Sequence, residues 1–138
     1  KKMRRIMMPL VVLFCFFSVL HLAVAQNGNI AIKSPSDGAS VPERPIVEGV
    51  VMDKTAQVWV IVHPMETSDY WVQPKVSVRK EGLWRVQVYI GRPGNIDVGK
   101  HFEMMAIANP KQTLREGKVL GTWPEAQSQS EVIEVIRK

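Results

Sequence analysis

Two histidines and two nearby acidic residues are the side chains of this sequence best suited to acid–base or metal chemistry. His63, Glu66 and Asp69 lie close together, and His101 follows further along the chain. Imidazole and carboxylate groups are ligands for Zn²⁺, but this spacing matches no known ligand pattern. The sequence also has neither the HExxH motif of zinc proteases nor the GxSxG motif of serine hydrolases. It therefore predicts no catalytic residue, no metal and no cofactor, and a hydrolase is the least favoured alternative.

Three large aromatic residues lie outside the regularly alternating segments and are the candidate contact residues. Tyr70 and Trp71 follow a polar stretch, and Trp123 lies beside Pro124 in another. Adjacent residues of an extended segment point to opposite faces, so one ring of the Tyr70–Trp71 pair should pack inward and the other should be at least partly exposed. Exposed aromatic rings typically contact sugars, peptides or proteins, although they can instead cover an open end of a fold. We predict Tyr70, Trp71 and Trp123 as binding residues.

The elements that position these residues are predicted to be strands, because apolar residues recur with a period of two. The segment 83–90 alternates most clearly, with Trp84 and Val86 facing inward. Arg85 and Tyr89 face outward. The segment 57–63 is apolar throughout its centre, which predicts a central strand with both faces covered. Seven strands are expected, at Asn29–Lys33, Pro45–Met52, Gln57–His63, Lys75–Lys80, Leu83–Ile90, His101–Ala108 and Glu131–Arg137. Without intervening helices, they predict an all-β, antiparallel two-sheet sandwich.

One long connection before the last strand lacks this alternation of apolar and polar residues. Lys111–Glu116 contains good helix formers after Asn109-Pro110, and Gly117 could end a short helix. The following residues 118–130 are largely polar and carry Trp123. The sequence therefore predicts one short helical turn within a long crossover.

The order of several short motifs resembles that of bacterial immunoglobulin-like (Ig-like) extracytoplasmic domains. The motifs are Pro35-Ser36-Asp37-Gly38, Val47-x-Gly49, Trp59 to Pro64, Tyr70 to Pro74, Gly82-x-Trp84-x-Val86-x-Val88, and Gly99-x-x-Phe102 followed by Ala106-Ile107-Ala108. The resemblance covers nearly all of residues 26–138 and implies an immunoglobulin-like sandwich located outside the cytoplasm. It implies no particular ligand, because this fold supports many unrelated functions. The crossover at 111–130 is longer than in the plain repeat.

The first 25 residues have the pattern of a secretory signal peptide. A basic start is followed by the apolar run Leu10–Leu20 and then by Ala23-Val24-Ala25. The apolar run is shorter than the roughly 20 residues that a membrane span needs. We predict a signal peptide at 1–25, cleavage after Ala25, and one domain at 26–138 that is periplasmic, secreted or at the cell surface. An uncleaved N-terminal anchor is the alternative, and it is the only membrane association that the sequence predicts.

Removal of that segment changes the charge and the cysteine content. The full chain has a net charge of +5, but four of its 18 basic residues and none of its 13 acidic residues lie in the first 25 positions. Residues 26–138 therefore carry 14 basic and 13 acidic side chains, a net charge of +1, which gives no indication of a nucleic-acid partner. Cys15 is the only cysteine, so the remaining domain has no disulfide and depends on burial for stability.

These observations predict an exported, non-catalytic Ig-like binding module that contacts a protein or a cell-envelope glycan. The first alternative is a structural envelope subunit that assembles with its own copies through an exposed strand edge.

Overall fold

Strands are the only regular secondary structure within residues 28–138, the part of the chain that the computed structural model describes. The strands are β1 Ile30–Ser34, β2 Ala39–Val41, β3 Ile46–Val51, β4 Val58–Pro64, β5 Tyr70–Val72, β6 Ser77–Val78, β7 Leu83–Gln87, β8 His101–Pro110, β9 Val119–Leu120, β10 Ala126–Gln129 and β11 Ile133–Arg137. The predicted signal peptide, residues 1–25, lies outside the described residues. Within 28–138, no helix is long and apolar enough to cross a membrane.

Two sheets form the domain, and one is wider than the other. The smaller sheet has the order β1-β3-β7-β6, and the larger has the order β2-β11-β8-β4-β5-β9, with β10 also paired to β8. All pairs are antiparallel except β2 with β11, which run parallel. The predicted all-β, two-sheet architecture is confirmed, and it is compatible with an Ig-like fold.

The structure has more strands than the sequence predicted, and the additional ones are short. β2, β5, β9 and β10 contain two to four residues each. Such strands are too short to produce a recognisable alternation of apolar and polar residues. They lie in the segments predicted to be turns, loops and crossover.

The predicted helical turn at Lys111–Glu116 does not form. Lys111 donates its backbone N–H to the carbonyl of Glu125 (2.9 Å), and Gly117 donates to the carbonyl of Val72 (2.9 Å). The backbone bonds at both ends of this segment are thus made to distant residues rather than within a helix. The side chain of Leu114 is buried against the larger sheet. Burial of this apolar side chain on the sheet overrides the helix propensity of its neighbours.

The main core lies between the two sheets. Trp84 and Val86 of β7 are buried there, as are Val88 and Ile90 just beyond the strand, whereas Arg85 is exposed. The predicted faces of this segment are therefore confirmed. Gly49 lies directly opposite Trp84 on β3, and a Cβ atom at this position would overlap the indole ring. The glycine thus provides the space in which the largest core side chain packs.

A second core covers the outer face of the larger sheet. It contains Trp59, Ile61, Val72, Met105, Ile107 and Leu114. The crossover between β8 and β10 passes over this face and supplies Leu114, with Trp123 packed at its border. Both faces of β4 are consequently buried, as the apolar run at its centre predicted.

Candidate functional site

β5 and β9 form one end of the larger sheet, and Trp71 lies on β5. Trp71 is directly opposite Val62 of β4, whose side chain belongs to the main core. Opposite residues of paired strands point to the same face, so Trp71 faces the side on which the smaller sheet packs. Its side chain nevertheless remains 40% exposed. An aromatic ring is thus left open to solvent on the inner face of the wider sheet.

Trp71 forms part of a cleft with a volume of about 660 Å³. The cleft walls come from the loop between β4 and β5, from residues 71–74, and from Tyr89 with residues 91–93. Phe102, which belongs to the main core, also lines it. Pockets that bind small molecules or side chains have volumes of roughly 300–1,000 Å³, so the cleft has the size of a ligand site.

A buried carboxylate stabilises one wall of the cleft. Asp97 is 4% exposed and accepts hydrogen bonds from the backbone N–H of Arg92 (2.6 Å), from its guanidinium (2.9 Å), and from Lys100 Nζ (3.0 Å). The bonds from Arg92 hold the pKa of Asp97 well below its usual range. Lys100 Nζ also pairs with Glu66 (2.7 Å) in the loop between β4 and β5. These ion pairs therefore connect the loop between β4 and β5 to the loop that follows β7.

The buried side chain of Arg137 binds the backbone of the same wall. Its guanidinium donates to the carbonyls of Ile90 (2.8 Å), Arg92 (3.0 Å) and Gly94 (2.5 Å). These three carbonyls belong to the loop that follows β7. A loop with its carbonyls bound to a buried guanidinium on the last strand has little freedom to move.

Gln73 connects the wall that carries Trp71 to the wall that carries Tyr89. Its Oε1 accepts the backbone N–H of Tyr89 (2.8 Å), and its Nε2 donates to the carbonyl of Trp71 (3.3 Å). The ring of Tyr89 is 45% exposed, and the guanidinium carbon of Arg44 lies 4.5 Å from its centroid. The cleft thus presents two exposed aromatic rings on walls that are joined by a buried amide.

Four carboxylates and one guanidinium line the cleft. Glu66 and Asp97 are neutralised by the ion pairs described above. Asp69 and Glu116 also line the cleft, and within residues 28–138 neither carboxylate has an ion-pair partner. Asp69 immediately precedes β5, and Glu116 is adjacent to the glycine that bonds to the last residue of β5. The two free carboxylates are therefore near opposite ends of the strand that carries Trp71.

Tyr70 and Trp123, the other two predicted binding residues, lie together on the outer face of the larger sheet. The Tyr70 ring stacks on His63 with centroids 4.0 Å apart, and its centroid is 4.8 Å from that of Trp123. Both rings pack against the second core. The expectation that one member of the Tyr70–Trp71 pair packs and the other is partly exposed is confirmed. The structure brings Tyr70 and Trp123 together and separates both from Trp71.

The two histidines have separate surroundings. His63 Nδ1–H donates to the carbonyl of Asp69 (3.0 Å), whereas His101 Nδ1 bonds to the carboxylate of Glu134 (2.5 Å). Across residues 28–138, no group of three or more histidine, cysteine or acidic side chains is arranged to hold a metal ion.

Several residues of the cleft were not predicted from the sequence. Tyr89 was expected to face outward in its strand, which was the one available signal for an exposed ring. Gln73 and Arg137 act through contacts with distant parts of the chain, whereas Asp97 acts through Arg92 and Lys100 in its own loop. No alternation of apolar and polar residues marks any of the three. Comparison with models of protein families, with curated proteins and with solved structures gives no significant match.

Proposed function

We propose that residues 26–138 form an exported, non-catalytic Ig-like binding module whose partner, a protein or a cell-envelope glycan, contacts Trp71 in the cleft. The observation that carries this proposal is the exposed indole ring in a cleft of ligand size. Tryptophan and tyrosine are among the residues that contribute most to binding at interfaces, because they bury a large apolar area at a small cost in conformational entropy.

The rigidity of the cleft walls supports a binding role. Asp97, Arg137 and Gln73 hold the loop after β7 and the chain after β5 in one arrangement before any partner is present. A preorganised site loses less entropy on binding than a mobile one.

The location outside the cytoplasm rests on the signal-peptide pattern of residues 1–25 and on the resemblance to Ig-like domains. In this proposal Trp71 is the contact residue, whereas Tyr70 and Trp123 stabilise the second core. Their packing against one another and against buried apolar residues supports this division.

The test compares Trp71→Ala with Trp123→Ala. We expect Trp71→Ala to leave the melting temperature nearly unchanged and to weaken partner binding by at least about 1–2 kcal/mol, as for an aromatic contact residue. Trp123→Ala should lower the melting temperature, because it removes a ring packed on the second core. Thermal denaturation measures stability, and quantitative capture of envelope proteins and glycans by each variant measures binding. A large stability loss in Trp71→Ala, or capture equal to that of the wild type, would remove Trp71 from the site.

A further inference from the structure

We infer that the cleft binds an extended, proline-rich protein segment in which basic residues flank the prolines, an inference that depends on the proposed function. The first reason is the chemistry of the lining. Besides the exposed rings of Trp71 and Tyr89, the cleft is lined by Pro64, Pro74 and Pro93. Grooves lined with aromatic rings bind polyproline II segments, whose conformation is largely fixed before binding.

The second reason is that the buried polar atoms of the cleft are already in use. Both carboxylate oxygens of Asp97 accept bonds from Arg92 or Lys100, and the side-chain amide of Gln73 bonds at both its oxygen and its nitrogen. A sugar carries hydroxyl groups around its whole ring, and hydroxyls buried without partners oppose binding. The side chains of proline lack hydrogen-bonding groups and require only apolar contact. The buried part of the cleft therefore suits proline side chains, and the carboxylates Asp69 and Glu116 are the acidic groups left free to meet a partner.

The third reason is the position of the unpaired carboxylates. Asp69 precedes β5, and Gly117, next to Glu116, donates its N–H to Val72 at the end of β5 (2.9 Å). The three steps from Asp69 to Val72 span about 10 Å at about 3.3 Å per residue, and Gly117 lies one strand spacing of about 4.8 Å to the side, so the two ends are about 11 Å apart. A polyproline II helix rises about 3.1 Å per residue and covers this distance in about four residues. A segment of three prolines with one lysine at each end thus matches the two carboxylates in charge and in spacing.

The experiment uses the purified exported protein and isothermal titration calorimetry at low and moderate salt. The probes are a capped Lys-Pro-Pro-Pro-Lys peptide, the corresponding Glu-Pro-Pro-Pro-Glu peptide, and a soluble peptidoglycan fragment. We expect the lysine peptide to bind at least tenfold more tightly than the glutamate peptide, with a difference that decreases as salt rises.

Variants assign the binding to the cleft. Asp69→Asn combined with Glu116→Gln should weaken binding of the lysine peptide by about tenfold and reduce its salt dependence. The matched control, Glu48→Gln combined with Glu81→Gln, removes the same charge from exposed positions on or next to the smaller sheet and should have little effect. Trp71→Ala should abolish binding of the lysine peptide.

The possible outcomes separate this inference from the proposed function. Equal binding of the two peptides, or an equal effect of the control variant, would overturn the inference. Binding of the peptidoglycan fragment but not of the lysine peptide, with loss in Trp71→Ala, would overturn it and leave the proposed function intact. If neither these probes nor any envelope component binds in a manner that depends on Trp71, the proposed function fails as well.

Discussion

At the scale of single residues, the pairing of Trp84 with Gly49 organises the main core. Trp84 is 2% exposed, and its ring packs directly on the β3 backbone at Gly49, where a Cβ atom would overlap the ring. The neighbouring Arg85 points to the opposite face and only approaches Glu48 at 3.9 Å in solvent. Trp84 and Arg85 are adjacent in β7, but only the Trp84 side chain should contribute strongly to the free energy of unfolding.

Alanine substitutions at these two positions test this difference. Trp84→Ala should reduce the free energy of unfolding by roughly 3–5 kcal/mol, because it leaves a large cavity between the sheets. Arg85→Ala should cost less than about 1 kcal/mol, since an exposed ion pair contributes little. Urea denaturation of both variants measures the two values. Equal losses would show that the assignment of faces in β7 is incorrect.

The sequence was sufficient to predict Trp71 as a candidate contact residue but not the cleft around it. An aromatic pair in a polar segment is a local signal, and the alternation of side chains in an extended chain implied that its two rings separate. The bond between Gln73 and Tyr89 joins positions 16 apart, and that between Arg137 and Ile90 joins positions 47 apart. Such contacts depend on how strands from different sheets are placed, which no pattern within one segment specifies.

At the scale of elements, the loop at residues 91–100 depends on the ionised form of Asp97. The carboxylate accepts bonds from Arg92 and Lys100, and Gly91 packs closely against it with a positive φ of 79°. Because these partners favour the charged form, the pKa of Asp97 in the folded protein is below that in the unfolded chain. A depressed carboxyl pKa stabilises the folded state above the unfolded pKa of about 3.9, and this contribution is lost as the pH falls further.

Asp97→Asn is therefore expected to lower stability in a pH-dependent manner. At pH 7 the variant should lose roughly 1.5–3 kcal/mol, the range for hydrogen bonds to a charged group. The difference from the wild type should become smaller as the pH is lowered from about 4 towards 2, because the Asp97 carboxyl of the unfolded chain then binds a proton that the folded protein binds much more weakly. Urea denaturation across this range measures it. A difference that does not change with pH would mean that the charge of Asp97 contributes nothing.

The long strands were predictable as elements, and the crossover was not. β4, β7 and β8 are long enough for their apolar periodicity to indicate which faces are buried. Residues 111–130 instead contain β9, β10 and an irregular segment, and their shape is dictated by the apolar outer face of the larger sheet that they cover. Leu114 occupies a place on that face, although its neighbours favour a helix. Tertiary burial determined the local structure here, and a single sequence window carries no information about it.

At the scale of the whole molecule, the edges of the sheets are poorly suited to self-assembly through strand pairing. The edge strands of the two sheets are β1, β6, β2, β9 and β10, and the last four have only two to four residues. β1 is longer, but its register shifts between Ile32 and Ser34, and Lys33 is exposed between them. Short strands, bulges and lysines at an edge all oppose the addition of another strand. The domain edges thus favour a binding module over a self-assembling subunit.

The protein is accordingly expected to be exported as a monomer that begins at Gln26. Cleavage after Ala25 leaves residues 26–29 ahead of β1, so all the strands described above remain. Native mass spectrometry of protein recovered from the periplasm, cell surface or medium measures both features at micromolar concentration. A mass that retains residues 1–25 would identify an uncleaved anchor. A dimer that dissociates on dilution would instead show that the short edge strands do not prevent association. It would favour the self-assembling envelope subunit over the binding module.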